Sequence, residues 1–256
     1  MVGILILARL GSKRLPQKHL MKAGGKTFIS WLILRYIHEF SSEIDQGRVK
    51  VILATSNEEQ NTEFENQTKG LQAEVFYGNI NNVPLRELEC AEQYNFSHII
   101  SIDGDDILCS TNAARLVYNK LMSESETDFV TTKGLPLGMN VMGFKKNFLK
   151  QSLQKYTGDT LETGWGRIFN QDKIEEIELG SYDKETTLRF TLDYPVDAEF
   201  FKVIIEAKAD SIISILDDDL IKWVIEKRIN KINGNLSEQY WQNFNTEKQK
   251  EIQNGN

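Results

Sequence analysis

The basic residues near the start of the chain are spaced so that they could bind an anion. The first 38 residues contain seven lysines or arginines and no acidic residue, whereas the other 218 carry 23 basic and 37 acidic residues. Arg9, Arg14 and Lys18 lie close together in the sequence, around Gly11 and Ser12. Several cations can neutralise several phosphate oxygens, and a glycine lets the backbone approach a phosphate closely. The segment therefore predicts a loop that binds a polyphosphate.

The alternative for this loop is an ordinary solvated surface segment, which a cluster of charges alone would favour. A surface segment normally mixes both signs of charge, so the lack of any acidic residue favours a functional loop. The spacing is neither that of a Walker A loop, GxxxxGK[ST], nor that of a dinucleotide-binding GxGxxG turn. The loop therefore predicts a phosphate site of another kind.

Aspartates follow two apolar runs farther along the chain. Asp103, Asp105 and Asp106 come after the run 98–102, and Asp193 comes after a later run. Mg²⁺ takes one or two protein carboxylates and completes its shell with phosphate oxygens and water. The sequence therefore predicts Asp105 and Asp193 as the ligands of a Mg²⁺ ion that accompanies the polyphosphate. Each aspartate could instead only shape its own turn.

Other polar residues are assigned no chemistry. Asp197 and the acidic run 217–219 are interpreted as helix caps, the usual role of aspartate before a helix. His19, His38 and His98 show no metal-ligand spacing and no triad context, so none is predicted to be catalytic.

The elements that must position these residues follow from the apolar pattern. Runs rich in β-branched residues alternate with segments of helical periodicity, which indicates a mostly parallel sheet with crossover helices. Strands are predicted at 2–8, 49–54, 73–77, 98–102, 128–132, 138–144, 174–179 and 188–192. Helices are predicted at 28–40, from 58, and at 83–94, 110–122, 145–156 and 197–207, and a last one follows 217–219 and ends near 229. Ligands of such sheets bind beyond the carboxyl ends of the strands, where the basic loop and the aspartates fall.

Composition narrows the class of protein. With 256 residues and 40% hydrophobic content, the chain can form one large α/β domain. A net charge of −7 disfavours nucleic acid as a partner, and no apolar run is long enough to cross a membrane, so we expect a cytoplasmic protein. Cys90 and Cys109 lack a metal or CxxC spacing and are expected to be reduced.

An irregular stretch in the second half of the chain could contribute a second pocket. Trp165 is flanked by glycines and lies close to Glu162. A pocket for a second substrate, a subunit contact and a plain core position all remain open for this tryptophan.

The motifs resemble a known family. Ala8 to Lys18 is similar to the signature loop of the cytidylyltransferases that activate acidic sugars, the CMP-sialate and CMP-Kdo synthetases, and most of all to the SpsF-like branch of spore-coat polysaccharide synthesis. Asp103-Gly104-Asp105 resembles the Gly-Asp segment that binds metal in this family. The segment 191–197 resembles the one that carries its second metal aspartate, and the likeness extends over about residues 1–230.

The resemblance implies a three-layer, Rossmann-like fold of the nucleotide-diphospho-sugar transferase type, with a mostly parallel twisted sheet. It also implies a homodimer and Mg²⁺-dependent transfer of CMP from CTP to a sugar hydroxyl, with release of pyrophosphate, for a surface glycan. Residues 1–230 would form the nucleotidyltransferase domain, 134–187 its acceptor or dimerisation region, and 231–256 a polar tail of marginal order. Three alternatives stay open: another nucleoside triphosphate, a phosphorylated acceptor that is not a sugar, or a catalytically silent nucleotide-binding scaffold.

Site residues are predicted on the same basis. The catalytic residues would be Arg14, Lys18, Asp105 and Asp193, of which the two aspartates hold the metal. The nucleotide-binding residues would be Leu7, Ala8, Arg9, Gly11, Ser12, Arg14, Lys18, Ser56, Asn82, Asp103 and Gly104. The acceptor-binding residues would be Asn140, Glu162 and Trp165.

Overall fold

A computed structural model describes residues 1–12, 14–123, 126–158, 160–184 and 187–254 of the chain. Lys13, in the predicted phosphate loop, lies outside the described residues. The fold is α/β, as predicted, and it is organised around a seven-stranded, mostly parallel sheet.

The strands of the main sheet follow the order β5-β4-β1-β6-β8-β7-β9, and a small hairpin, β2-β3, lies beside it. The strands are β1 (Val2–Leu7), β2 (Lys22–Ala23), β3 (Lys26–Thr27), β4 (Val49–Ser56), β5 (Ala73–Gly78), β6 (His98–Asp103), β7 (Phe129–Lys133), β8 (Met142–Lys145) and β9 (Ile174–Glu178). Strand β8 pairs antiparallel with both of its neighbours, β6 and β7, whereas the other pairings of this sheet are parallel.

Helices cover both faces of the sheet. They are α1 (Phe28–Glu39), α2 (Ser41–Asp45), α3 (Phe64–Thr68), α4 (Val83–Gln93), α5 (Thr111–Ser123), α6 (Lys146–Leu153), α7 (Pro195–Lys208), α8 (Asp217–Glu226) and α9 (Ser237–Asn254). Three of them begin at polar caps that accept a hydrogen bond from the first turn: Ser110 from the Ala113 N–H at 2.8 Å, Asn82 from the Leu85 N–H at 2.9 Å, and Thr27 from the Ser30 N–H at 3.3 Å.

Strand β1 shows why the fold has three layers. Its side chains alternate between two apolar clusters: Ile4 and Ile6 belong to the first core, and Leu5 and Leu7 to the second. The first core also contains residues of α1, α5, α7 and α8, and the second contains residues of α4 and α6. Because all six residues of β1 are buried, the strand reads as a continuous apolar run, which is typical of a parallel sheet covered on both faces.

The strand order reverses direction around β1. From β1 the chain first builds outward through β4 to β5, and then returns to place β6 on the other side of β1. Leu7, the last residue of β1, pairs with Ala54 of β4 and with Asp103 of β6. A crevice at such a reversal, beyond the carboxyl ends of the strands, is where open α/β sheets bind ligands. The predicted phosphate loop and Asp103–Asp106 both begin there.

Three predicted elements differ from the structure. The segment 188–192 is buried but forms only an isolated bridge, between Arg189 and Leu137, because its backbone is not aligned with a neighbouring strand over more than one residue. The helix expected from residue 58 begins as a 3-10 turn, Glu59–Glu63, that leads into α3. The run 217–219 forms the first turn of α8 rather than its cap.

The segment 231–256 is the largest departure from the expected elements. Instead of a tail of marginal order, it contains the 18-residue helix α9, whose contacts are described below. Cys90 and Cys109 are buried free thiols, as predicted. Among the described residues, no helix combines the length and the apolar character that a membrane span requires.

Candidate functional site

The phosphate loop is held against the sheet edge by backbone and amide contacts. The Gly104 N–H donates to the Leu7 carbonyl at 2.8 Å, which joins the ends of β1 and β6. The buried Asn61 side chain accepts from the Leu10 N–H at 2.8 Å and donates to the Ser56 carbonyl at 2.9 Å. Sequence reasoning missed Asn61, because an asparagine in a polar turn carries no signal of a contact 51 residues away.

Gly104 is needed for this close approach. A Cβ at position 104 would lie 2.7 Å from the Leu7 carbonyl oxygen and 2.8 Å from the Ala8 Cβ, both of which are fixed by β1. We expect Gly104→Ala to lower the free energy of unfolding by about 1–3 kcal/mol, the usual range for overpacking a buried position. Urea denaturation measures this change.

Gly166→Ala is the matched control, because nothing lies within 4 Å of a Cβ at position 166. A loss of stability in the Gly166 variant as large as in the Gly104 variant would contradict the close approach of β1 and β6.

Lys18 lies at the centre of the site. Its side chain is almost completely buried, and its ammonium donates to Asp105 Oδ2 at 2.5 Å and to the Leu192 carbonyl at 2.8 Å. The same nitrogen lies 3.6 Å from Asp193 Oδ1. The two aspartates predicted as metal ligands, 88 positions apart in the sequence, therefore meet around one lysine of the basic loop.

Arg14 contacts Asp193 from the solvent side. It donates to Asp193 Oδ1 at 2.6 Å, and its guanidinium lies 5.6 Å from the centre of the Tyr194 ring. Burial disfavours the charge of Arg14, but the Asp193 carboxylate outweighs this effect and raises the pKa of the guanidinium. Burial alone would raise the pKa of Asp193; Lys18, Arg14 and Arg189 outweigh it and lower that pKa. Asp193 is thus kept ionised at neutral pH, as a metal ligand must be.

A buried network orients Asp193 from behind. Arg189, which is fully buried, donates to Asp193 Oδ2 at 3.0 Å and to both oxygens of Asp197, at 3.0 and 3.1 Å. Asp197 also accepts from the Asp193 and Tyr194 N–H groups, each at 2.9 Å, and from Asn233 Nδ2 at 2.8 Å. Asp197 does cap α7, as expected, and it also neutralises a buried arginine that the sequence analysis did not single out.

His19 is a second residue that the sequence analysis set aside. Its Nε2 lies 3.3 Å from Asp105 Oδ1. Burial lowers the pKa of His19 to about 4, so the imidazole is neutral at pH 7. We infer a positioning role for this ring. Its place directly after Lys18 is the one signal that could have indicated it.

Arg9 contacts the other side of the crevice. Its two terminal nitrogens donate to the two carboxylate oxygens of Glu162, at 2.6 and 2.7 Å. Such a bidentate pair is among the stronger hydrogen-bonded arrangements of charged side chains. Glu162, expected near the second substrate, is therefore brought to the phosphate loop by a direct contact.

The remaining predicted residues make contacts of different kinds. Asp103 is exposed at the end of β6, and the Ser12 hydroxyl accepts weakly from the Leu15 N–H, at 3.5 Å. The Ser56 hydroxyl contacts Glu58 and Asn61, so it serves the local turn. Asn82 caps α4, as described above.

The structure gives the packing of two of the three residues predicted to bind the acceptor, Trp165 and Asn140. Trp165 is 7% exposed and packs edge-on against Phe144, so its ring is part of the second core. The flanking glycines affect the backbone turn, and they do not indicate in which direction the ring points. Asn140, which lies between β7 and β8, donates to the Leu135 carbonyl at 3.0 Å and contacts the Thr132 hydroxyl of β7.

The arrangement as a whole is complementary to a polyphosphate carried with a divalent cation. The three cations of the loop that the structure describes each face a carboxylate: Arg9 faces Glu162, Arg14 faces Asp193, and Lys18 faces Asp105. Phosphate oxygens could take the place of the carboxylates on the arginines and the lysine. In the described part of the chain, no group of three or more His, Cys, Asp or Glu side chains is arranged to hold a metal. A metal here would depend on two carboxylates and on ligands from the polyphosphate itself.

Comparison with known proteins gives consistent similarities. A family model described as "Cytidylyltransferase" matches residues 3–202, a range that contains both the basic loop and Asp193. An uncharacterized protein of Methanocaldococcus jannaschii is 27% identical over 241 residues, covering 92% of this chain and 95% of that protein.

Solved structures show the same fold. A cytidylyltransferase of Leptospira borgpetersenii superposes with a TM-score of 0.74 at 24% identity, over 90% of this chain and 95% of that one. A CMP:2-keto-3-deoxy-manno-octonic acid synthetase in complex with CTP gives 0.59 at 14% identity, over 81% and 99%. A 4-diphosphocytidyl-2C-methyl-D-erythritol synthase of Anaerococcus prevotii gives 0.52 at 12% identity, over 80% and 96%.

Proposed function

Because the chain belongs to the cytidylyltransferase family and is a nucleotidyltransferase, we propose that it transfers CMP from CTP to a sugar hydroxyl and releases pyrophosphate. The observation that carries the proposal is the meeting of Asp105 and Asp193 around the Lys18 ammonium, with Arg14 on the outer side of Asp193. This places cations and carboxylates in one crevice at the reversal of the strand order, where a triphosphate would bind.

The basic residues would bind and orient the triphosphate. Arg9 and Arg14 are 41% and 43% exposed, so they can turn to phosphate without unfolding the loop, whereas Lys18 is buried and fixed. During transfer the oxygen of the acceptor hydroxyl attacks the α-phosphorus in line, the bond to the departing pyrophosphate breaks, and the hydroxyl proton passes to water. Fixed cations beside the developing negative charge of pyrophosphate stabilise it at little cost of reorganisation. Positioning and electrostatics supply the rate enhancement, and no covalent nucleophile is needed.

The carboxylates fit Mg²⁺. Asp105 and Asp193 each place a carboxylate oxygen within 3.6 Å of the Lys18 ammonium, the pKa of Asp193 is lowered, and two carboxylates leave room in the ligand shell for phosphate oxygens and water. A bound Mg²⁺ would neutralise phosphate charge and polarise the phosphoryl group. His19 and Arg189 would keep the two carboxylates in place.

Support for a sugar acceptor comes from the family and from one structural neighbour. The 2-keto-3-deoxy-manno-octonic acid synthetase that shares the fold activates a sugar acid, and the basic loop resembles that of acidic-sugar enzymes. We extend the proposal to an activated sugar for a surface glycan, in the SpsF-like branch. The diphosphocytidyl-methylerythritol synthase among the neighbours supports the alternative, a phosphorylated acceptor that is not a sugar.

Thermal unfolding with each of CTP, UTP, GTP and ATP, with and without Mg²⁺, tests the nucleotide. We expect CTP with Mg²⁺ to stabilise the protein most, by about 2.7 kcal/mol at a hundredfold excess over Kd, because a ligand that binds only the folded state adds this free energy. For a chain of this size that corresponds to a rise in Tm of roughly 5–10 °C. Preference for a purine would overturn the cytidylyl assignment, and no shift with any triphosphate would favour the silent scaffold.

A further inference from the structure

Helix α9 directs one of its faces toward the candidate site. Tyr240, Phe244, Lys248 and Glu251 recur at intervals of three or four residues and therefore share that face, and Asn243 lies three residues after Tyr240. The family match ends at residue 202, so α9 lies outside the part of the chain that carries the family resemblance. Its contacts reach both walls of the crevice.

The first half of the helix is attached to the wall that contains Asp193. Asn243 Nδ2 donates to the Tyr194 hydroxyl at 2.8 Å. The Arg189 guanidinium lies 4.6 Å from the centre of the Tyr240 ring. The helix thus packs directly on the residues that orient the metal carboxylate.

The second half is attached to the loop that contains Glu162. Glu251 accepts from the Glu162 N–H at 3.2 Å and from the Thr163 N–H at 2.9 Å, and it pairs with Arg167 at 3.1 Å. The Glu251 side chain is 11% exposed. Gly164 passes directly under the helix: a Cβ there would lie 3.2 Å from Lys248 and 3.3 Å from Phe244. One carboxylate therefore holds two backbone N–H groups and an arginine of the opposite wall.

Glu162 links this attachment to the nucleotide. Its carboxylate occupies both terminal nitrogens of Arg9, and those N–H groups cannot be given to a phosphate at the same time. A triphosphate that takes these two N–H groups of Arg9 therefore releases Glu162. The loop that contains Glu162 is then held by the hydrogen bonds of its Glu162 and Thr163 N–H groups to Glu251 of α9.

We propose that α9 is a strap across the crevice and that Glu251 is a positioning residue, which keeps the Glu162–Gly164 loop at the acceptor side when the nucleotide takes Arg9. The inference rests on the proposed function for the identity of the nucleotide, and on contacts within the chain for the strap itself. Glu251 touches neither substrate directly. Its role is to keep the Glu162–Gly164 loop in place when Glu162 loses its contact with Arg9.

Hydrogen–deuterium exchange of the segment 160–169 tests the strap, with CTP and MgCl₂ as the probe. In the unchanged protein we expect slow exchange with or without CTP. In Glu251→Gln the exchange should be about tenfold faster, because charge-assisted bonds to two amides and Arg167 are weakened. Addition of CTP should accelerate it further in this variant, because the loop then loses Arg9 as well.

Two further variants make the outcome specific. Glu238→Gln removes a carboxylate from the exposed face of the same helix, where it contacts Gln242, and should behave like the unchanged protein. Glu162→Ala releases Arg9 without nucleotide, so Glu162→Ala combined with Glu251→Gln should exchange as fast without CTP as Glu251→Gln does with it.

Some outcomes would overturn the strap. One is exchange in Glu251→Gln that equals that of the unchanged protein; another is exchange that rises equally throughout the chain, which would indicate general destabilisation. If CTP does not change the exchange of the basic loop in the unchanged protein, the nucleotide assignment is wrong. The strap is then still tested by comparing exchange in the unchanged protein and in Glu251→Gln without nucleotide. A Kd for CTP that changes by less than about twofold in Glu251→Gln supports a role on the acceptor side.

Discussion

Replacement of Asp105 by asparagine is expected to lower turnover at least about a hundredfold, since a metal-held charge at the reacting phosphate is worth several kcal/mol. The change removes one of the two carboxylates that would hold Mg²⁺ but keeps the side-chain shape. Lys18 retains its bond to the Leu192 carbonyl and its proximity to Asp193, and Asp105 is one-third exposed, so the fold should persist. Pyrophosphate release from CTP, with an acceptor found by screening the unchanged protein, measures the effect.

Asp128→Asn is the matched control for this variant. Asp128 is exposed to the same degree as Asp105 and also pairs with a lysine, Lys145, at 3.2 Å, but it precedes β7 at the amino ends of the parallel strands. Its turnover should match that of the unchanged protein. Full activity in Asp105→Asn, with an unchanged circular dichroism spectrum, would show that another carboxylate holds the metal.

Asp197→Ala is expected to produce the largest loss of stability, about 3–5 kcal/mol, the range for removing one partner of a buried ion pair. The substitution leaves the Arg189 guanidinium buried beside Asp193 alone, and it leaves the Asp193 and Tyr194 N–H groups without their acceptor. The Tm should fall by on the order of 10 °C for a chain of this length. Differential scanning calorimetry measures both quantities.

Asp210→Ala provides the comparison for Asp197→Ala. Asp210 is 84% exposed and pairs with Lys26 at 3.5 Å, so its loss should cost no more than about 1 kcal/mol, as for other surface pairs. A cost for Asp197→Ala as small as for Asp210→Ala would mean that the network around Arg189 relaxes when its acceptor is removed.

The sequence was sufficient to predict that the basic loop, Asp105 and Asp193 lie together. A buried strand followed by glycine and cations, and an apolar run followed by aspartates, are local patterns, and parallel strands bring their carboxyl ends to one edge. Asp105 follows β6 at that edge, whereas Asp193 follows the segment 188–192, which forms only an isolated bridge. The three-layer arrangement also follows from local pattern, because the strands are apolar on both faces.

The rest of the site depends on contacts that sequence periodicity does not encode. Arg189 lies inside an apolar run, and its burial is possible only because Asp197 and Asp193 lie on the same side of a turn. The same segment, 188–192, has the composition of a strand, but a strand also requires a neighbouring backbone aligned for pairing. Within this segment the structure shows a single bridge, at Arg189. These features require the assembled chain.

The misassignment of α9 has a similar origin. Its sequence is mostly polar, and the residues that attach it are separated by three or four positions among exposed ones. Tyr240 and Phe244, an aromatic pair at i and i+4, were the available signal of a helix with a packed face. What they pack against, Arg189 and Gly164, lies 51 and 80 positions earlier in the chain.

The two walls of the crevice pack on different hydrophobic cores. Leu161 and Trp165, which flank Glu162, belong to the second core, whereas Phe190 and Leu192, which precede Asp193, belong to the first. Substitutions that remodel one wall leave the packing beneath the other intact. If the proposed function is correct, substitutions that change the acceptor wall would therefore leave the packing beneath Asp193 undisturbed.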